Sequence, residues 1–270
     1  MREICTSGSE GGGGTSEPGR KRGRRTKTGR PDTGRKKTHE PAPRHEATFY
    51  PTMRRGTVTA LFLVRTQGAS AFWDRVHDSE ARHVVFLSSG TVELPVDTHI
   101  ARMHAETEAV IRASRLTWSF VRAGAFMSNA LRWAPGIRAE GIVRVPFAGG
   151  RNAPVDPRDL GDAAATILLD PARFAGASPA ITGPEVLSTR QQVAILAQAL
   201  GREIRIEDVP EAAAREQMLR GMPAAMVDSV FALMRHGLQA APEVRTAEAI
   251  TGRPPRTFAQ WAADHRADFA

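Results

Sequence analysis

The sequence predicts an α/β fold built on a parallel sheet, and three observations predict it. Short β-rich apolar runs recur along the chain, helix-period stretches separate them, and the connections are short. Strand, helix and strand in that rhythm describe crossover units in one sheet, not a sandwich or a bundle.

The first run is Thr57-Val58-Thr59-Ala60-Leu61-Phe62-Leu63-Val64, apolar on both alternating faces as a strand buried on both sides must be. A helix-like stretch follows over Ala69 to Ser79. His83 to Ser89 forms a second buried strand ending in two hydroxyls. Thr98 to Arg115 reads as a helix with Met103, Ala105, Val110 and Ile111 turned inward, and Leu116 to Val121 as a third strand.

Asp156 to Leu169 is helical, and Ala180-Ile181-Thr182 is a short strand. Ser188 opens another helix with Gln191 completing a capping box, and Gly201 ends it. Glu203 to Val209 alternates as a strand. Pro223 to Leu238 is amphipathic, with Met226, Val230, Phe231 and Met234 on one side.

Residues 1–55 have a different texture. They are rich in Gly, Arg, Lys, Thr and Pro, and such a segment buries too little surface to offset its ordering entropy. The net charge of +8 is concentrated there: residues 1–50 carry 12 Lys/Arg against 6 Asp/Glu, whereas the other 220 carry 25 against 23. The expected organisation is therefore a basic, disordered segment over 1–55 and a folded domain over 56–270. The run from 20 to 37 is the place for nonspecific nucleic-acid binding through phosphate neutralisation. Cys5 is the only cysteine, no apolar stretch has the length of a membrane span, and the Arg-rich start lacks the apolar core of a secretory signal. The expected location is cytoplasmic, without membrane contact.

Ligands in open parallel sheets bind beyond the carboxyl ends of the strands. Val64, Ser88 and Ser89 are accordingly candidates for cofactor contact, with capping of the turn backbone as the alternative for the two serines. A dinucleotide fold also needs a Gly-rich turn after its first strand, so that backbone amides approach the pyrophosphate. Gly8, Gly11 and Gly14 have a fitting spacing, but Met1 to Ser7 is a poor strand and Pro18 stands where a helix should begin. Asp156 and Asp159 read as helix-start carboxylates. His77, His83, His99 and His236 show no metal-ligand spacing.

Three segments in order carry a resemblance to a known family. They are Val84 to Ser89, His104-Ala105-Glu106-Thr107-Glu108 running into Ser114 to Trp118, and Val121-Arg122-Ala123-Gly124-Ala125-Phe126-Met127-Ser128-Asn129. Val155 to Asp159, Ile181 to Glu185 and the ending Thr251 to Phe258 with Trp261 agree. From about Thr57 to Phe269 the chain resembles the NmrA-like family, a branch of the atypical short-chain dehydrogenases that bind NAD(P). The resemblance implies a Rossmann-like sheet with a smaller C-terminal α+β substrate lobe drawn mainly from 126–150 and 183–270. It implies NAD(P) as cofactor, of unread preference, with Ala123, Gly124, Ala125 and Phe126 lining the nicotinamide and substrate side. Trp118 and Trp133 are expected in packing roles.

The chain departs from the wider pattern at the proton-transfer pair. The usual Lys position is His104 and the usual Tyr position is Ile100, while the single tyrosine, Tyr50, lies in the basic segment. The ordinary Tyr-Lys proton transfer is excluded. His104 is left as the one catalytic candidate, able to bond a nicotinamide ribose or shuttle a proton, against the alternative of a partly buried helix histidine. The implied activity is NAD(P)H-dependent reduction of a small carbonyl or quinone-like substrate. A redox sensor acting through a protein partner and a basic-tailed nucleic-acid-associated protein are the alternatives.

In the strand order 3-2-1-4-5-6 the run from Thr57 to Val64 is the fourth strand and should pair with the first. A front βαβαβ half takes roughly 55–65 residues at about 30 per crossover unit, which is the length of the basic segment but not its composition. The expectation is a segment translated out of frame or from a misassigned start, with a basic tail on a truncated domain as the alternative. Dinucleotide binding by the chain as written is expected to be weak.

Overall fold

The computed structural model describes residues 60–64, 76 and 79–270. The Gly8 to Gly14 run, the basic stretch 20–37, Tyr50, His77 and most of the Ala69 to Ser79 helix therefore lie outside the described residues, as do Thr57 to Thr59.

Four parallel strands form the main sheet in the order β1 (Ala60–Val64), β2 (His83–Ser89), β3 (Thr117–Ala123) and β6 (Ala180–Ile181). The register aligns Phe62 with Val85 and Phe86 with Phe120. Helix α1 (His99–Ala113) starts at Thr98, whose hydroxyl accepts from the Ala101 amide, and packs on one face through Ile111 beside Phe86, Phe120 and Leu116. Helix α3 (Pro157–Leu169) covers the other face, with Leu160, Ala163, Ala164 and Ile167 against Val85, Val121 and Ile181.

A further core gathers α2 (Ala134–Glu140), β4 (Ile142–Val145), α4 (Thr189–Leu200) and α8 (Phe258–Asp264), and its fully buried centre includes Ile137, Leu196, Phe258 and Trp261. Trp133 packs against this core, and Trp118 stacks on Phe120. β4 pairs in parallel with β8 (Arg205–Asp208), while β5 (Arg151–Asn152) pairs antiparallel with β7 (Leu187–Ser188). Helices α5 (Glu211–Leu219) and α6 (Ala224–Gln239) meet around Ala214, Val227 and Phe231. The short helices α7 (Glu248–Thr251) and α9 (Arg266–Phe269) complete the order. No helix among the described residues is long and apolar enough to cross a membrane.

Local chemistry sets several boundaries. Ser188 and Gln191 close a capping box at the start of α4, and Gly201 ends that helix in the left-handed region at φ 65°. Asp156 caps α3 by accepting from the Arg158 amide at 2.8 Å. One expectation is corrected: Val110 is 48% exposed, not inward. The inner stripe of α1 runs through Glu108 and Ile111, because a buried ion pair fixes the helix phase where a hydrophobic count places Val110. In α6 the same counting misses Val227, which is fully buried beside Phe231.

Candidate active site

The carboxyl ends of β2 and β3 carry the chemistry-bearing residues, and a buried carboxylate organises them. Glu108 has no exposed surface. Its Oε1 accepts from the Ser88 hydroxyl at 2.6 Å and from Arg122 Nε at 3.0 Å, and its Oε2 accepts from Arg122 at 2.7 Å and Arg112 at 2.8 Å. Burial alone pushes this carboxyl up, but the hydrogen bonds from Arg122 and Ser88, the Arg122 charge and the Arg112 bond prevail and hold it below its ordinary range. The same bond, with help from Glu93, raises the Arg122 guanidinium above its usual value against the opposing effect of burial.

Arg122 passes the connection outward. It donates to Glu93 at 2.8 Å, and Glu93 in turn accepts from Arg245 at 3.0 Å. Arg245 is tied to the end of the sheet by its backbone, since its amide donates to the Thr182 hydroxyl and its carbonyl accepts from the Thr182 amide. The turn after β2, the end of β3 and the segment leading to α7 are thereby linked through one chain of charges.

The candidate residues fall around this frame. Ser88 is buried and gives its hydroxyl to Glu108. Ser89 accepts from the Thr91 amide at 3.2 Å and bonds the Thr91 hydroxyl at 2.9 Å, which caps the short turn Gly90–Glu93. Val64 ends β1 at 50% exposure. His104 lies half-buried on α1 with its ring centroid 5.9 Å from that of Phe86. Ile100 sits one turn earlier, its amide donating to the Ser229 hydroxyl.

Beyond β3 the chain forms a ledge. The Gly124 amide donates to the Ile181 carbonyl at 2.9 Å, and the Ala125 carbonyl accepts from the Val155 amide at 2.8 Å. Ala123 is buried, Gly124 and Phe126 are half-buried, and Ala125 is exposed. A Cβ on Gly124 would touch the Ile181 carbonyl oxygen and the Thr182 methyl group, both at 3.4 Å, so a small residue suits the close approach of three chain segments.

Asp156 and Asp159 belong elsewhere. Asp156 pairs with Arg158, and Asp159 accepts from the Arg256 amide and pairs with its guanidinium, which fastens α3 to the segment before α8. His83 is buried with its ring nitrogens bonded to the Thr117 and Ser119 hydroxyls.

The family model described as the NmrA-like family matches residues 88–248, from Ser88 in the buried network to the start of α7. This chain belongs to the NmrA-like family. Among its relatives is the (4-alkanoyl-5-oxo-2,5-dihydrofuran-3-yl)methyl phosphate reductase of Streptomyces griseus, 38% identical over 221 residues that span 79% of this chain and 78% of that protein. An NAD(P)H azoreductase of Xenophilus azovorans is 32% identical over 78% of this chain and 75% of its own. In structure the chain is similar to an NADPH-dependent quinone oxidoreductase of Escherichia coli, with TM-score 0.65 and 21% identity over 77% of this chain and 75% of that one. It is also similar to NmrA, a negative transcriptional regulator solved with NADP, at TM-score 0.54 and 18% identity over 76% and 73%. These structural likenesses show the Rossmann-like fold.

Within the NmrA-like segment, sequence reading passed over Glu108, Arg122, Glu93 and Arg245. A signal for two of them was present. Arg122 is the only charged residue in the strand Thr117–Ala123, and Glu108 ends the helical motif that carries the resemblance. A charge that interrupts an apolar strand is buried only with a partner. No spacing rule points to Glu93 or Arg245, because their meeting depends on segments 152 residues apart. The last lysine is Lys37 and the one tyrosine is Tyr50, so residues 60–270 contain neither member of the usual proton-transfer pair.

Proposed function

We propose that this chain is an NAD(P)H-dependent reductase of small quinone-like, azo or conjugated carbonyl acceptors. The observation that carries the reading is the ledge Ala123–Phe126, held at the carboxyl end of a parallel sheet by backbone bonds to Val155 and Ile181. Reductase names among relatives 38% and 32% identical support it.

In this reading the nicotinamide lies against the ledge, with Ala125 and Phe126 beside its ring. Met1 to Ser7 is a poor strand before Gly8, Gly11 and Gly14, and Pro18 stands where the following helix should begin, so a weak affinity is the expected outcome. When bound, a reduced nicotinamide supplies a hydride. In this reading the lobe drawn from 126–150 and 183–270 shields the acceptor from water, and the Glu93–Arg245 pair ties the turn after β2 to the segment before α7.

The missing Tyr and Lys select the acceptor. A ketone reduced to an alkoxide demands an acid at the moment of transfer. A quinone or azo acceptor delocalises the added electron pair, so its proton comes afterwards from water or from the His104 imidazole. The test is a titration of the full chain with NADPH and NADH, followed by loss of absorbance at 340 nm with a naphthoquinone and an azo dye. Acceptor-dependent oxidation supports the reading. Saturable cofactor binding with no turnover on any acceptor favours instead a redox sensor that passes cofactor state to a protein partner, and micromolar or tighter affinity overturns the expectation of weak binding.

A further inference from the structure

A groove open to solvent lies between residues 91–97 and the first turns of α1. Its walls are Val92, Leu94, Pro95 and Val96 on one side and Ala101 and Ala105 on the other.

Thr91 also lines it, bonded through its hydroxyl to Ser89 at the tip of β2. Gly90 runs alongside the end of β3, where a Cβ would make ordinary contact with the Ala123 carbonyl oxygen at 3.4 Å. The groove therefore begins one residue from the ledge. Apolar walls open to water cost free energy and add nothing to the cores, whose residues are others. A ligand that covers them recovers that cost.

The rim carries two charges, Asp97 and Arg102, paired at 2.5 Å with side chains 79% and 54% exposed. An exposed pair of this kind is held weakly. Arg102 spends one of its five N–H donors on Asp97, while the carboxylate is largely solvated. Exchange of Asp97 for a ligand anion leaves the released carboxylate in water and gives the guanidinium a partner at the mouth of an apolar groove.

We infer that this groove is the acceptor subsite, and that it takes a flat apolar ring system bearing an anionic substituent held by Arg102. Only the word acceptor rests on the reductase reading, because the site is tested by binding without turnover. The probes are 8-anilinonaphthalene-1-sulfonate and its uncharged analogue N-phenyl-1-naphthylamine, titrated by fluorescence against the full chain. Arg102→Gln should weaken the sulfonate about tenfold, the loss of one charge-assisted contact, and leave the uncharged probe unchanged. Asp97→Asn should tighten the sulfonate. Ala105→Trp, which fills the groove, should weaken both probes, and Phe62→Ser on the distant β1 should weaken neither.

Equal effects of Arg102→Gln on the two probes, or none, overturn the inference, as does sensitivity to Phe62→Ser in place of Ala105→Trp. Circular dichroism checks folding, and Leu94→Asp replaces Ala105→Trp if that variant does not fold. Probe binding with this pattern but no NADPH oxidation keeps the site and rejects the reductase reading. Turnover of quinones unaffected by Arg102→Gln, with the probe pattern absent, does the reverse.

Discussion

Replacing Glu108 by glutamine is the sharpest perturbation of the frame beneath the candidate site. The carboxylate is fully buried and accepts four hydrogen bonds, two of them from Arg122, whose side chain is only 13% exposed. Glutamine keeps the shape but turns one acceptor into a donor, so an N–H faces an N–H or the Ser88 hydroxyl, and Arg122 keeps only Glu93 as a full charge partner. Breaking a buried pair from one side costs about 3–5 kcal/mol. The Arg112 bond adds little, since that side chain is 41% exposed. The lower end, about 3 kcal/mol, is expected in urea unfolding, or a Tm fall of about 10 °C at the 2–4 °C per kcal/mol typical of this size. Arg112→Gln should cost under about 1 kcal/mol. The acid dependence has a definite sign. The folded Glu108 carboxyl lies below its ordinary 4.5, so its contribution is complete above that pH and is lost as pH falls through the folded value. Wild type and Glu108→Gln should therefore converge in acid. A loss below about 1 kcal/mol at neutral pH, or a gap that widens in acid, would refute the assignment of the frame to this carboxylate.

Gly183→Ala should be strongly destabilising, because a Cβ there runs into the Pro154 carbonyl oxygen; thermal unfolding that is unchanged would show the turn able to move aside. His83 is held below its ordinary 6.5 by burial, so stability should decline as pH drops below 6.5 toward the folded value. His83→Gln should flatten that slope in denaturant titrations at stepped pH. Phe62→Ser with Val64→Thr removes apolar groups that are 45% and 50% exposed, and light scattering should show less aggregation at equal stability. Nucleic-acid retention, if the basic run 20–37 acts as proposed, should fall steeply with salt and vanish on deletion of residues 1–52, as read by filter binding.

The parallel sheet was legible because strands buried on both faces leave continuous apolar runs, and Val84 to Leu87 within β2 is such a run. Helix starts were legible where side chains cap them, at Thr98, Asp156 and Ser188. The inner face of α1 was not, since its phase is set by Glu108 reaching Arg122 across 14 residues and no periodicity count assigns a carboxylate to a core. The strand-end serines show the same limit. Their position at the ligand side is written in the chain, but the partners that engage Ser88 and Ser89 depend on how α1 and the turn at Gly90 fold back. The groove beside Arg102 is likewise a product of loop path, because residues 91–97 carry no regular pattern that distinguishes a wall from a surface.

The edge of the sheet connects these observations to the part of the chain that composition sets apart. β1 aligns Phe62 with Val85 and Val64 with Leu87, so the four side chains share one face. On that face Val85 is fully buried beneath α3, whereas Phe62 and Val64 are about half exposed. The opposite face of the same strand is closed, with Leu63 buried beside Val84 and Phe86. One strand thus has a finished face and an unfinished one, and among the described residues nothing pairs with its outer edge. Parallel strands persist when both faces are covered. In a doubly wound sheet the strand beyond this edge is the one whose following turn cradles the phosphates, so a segment that paired there would both cover Phe62 and Val64 and bring amides to a pyrophosphate.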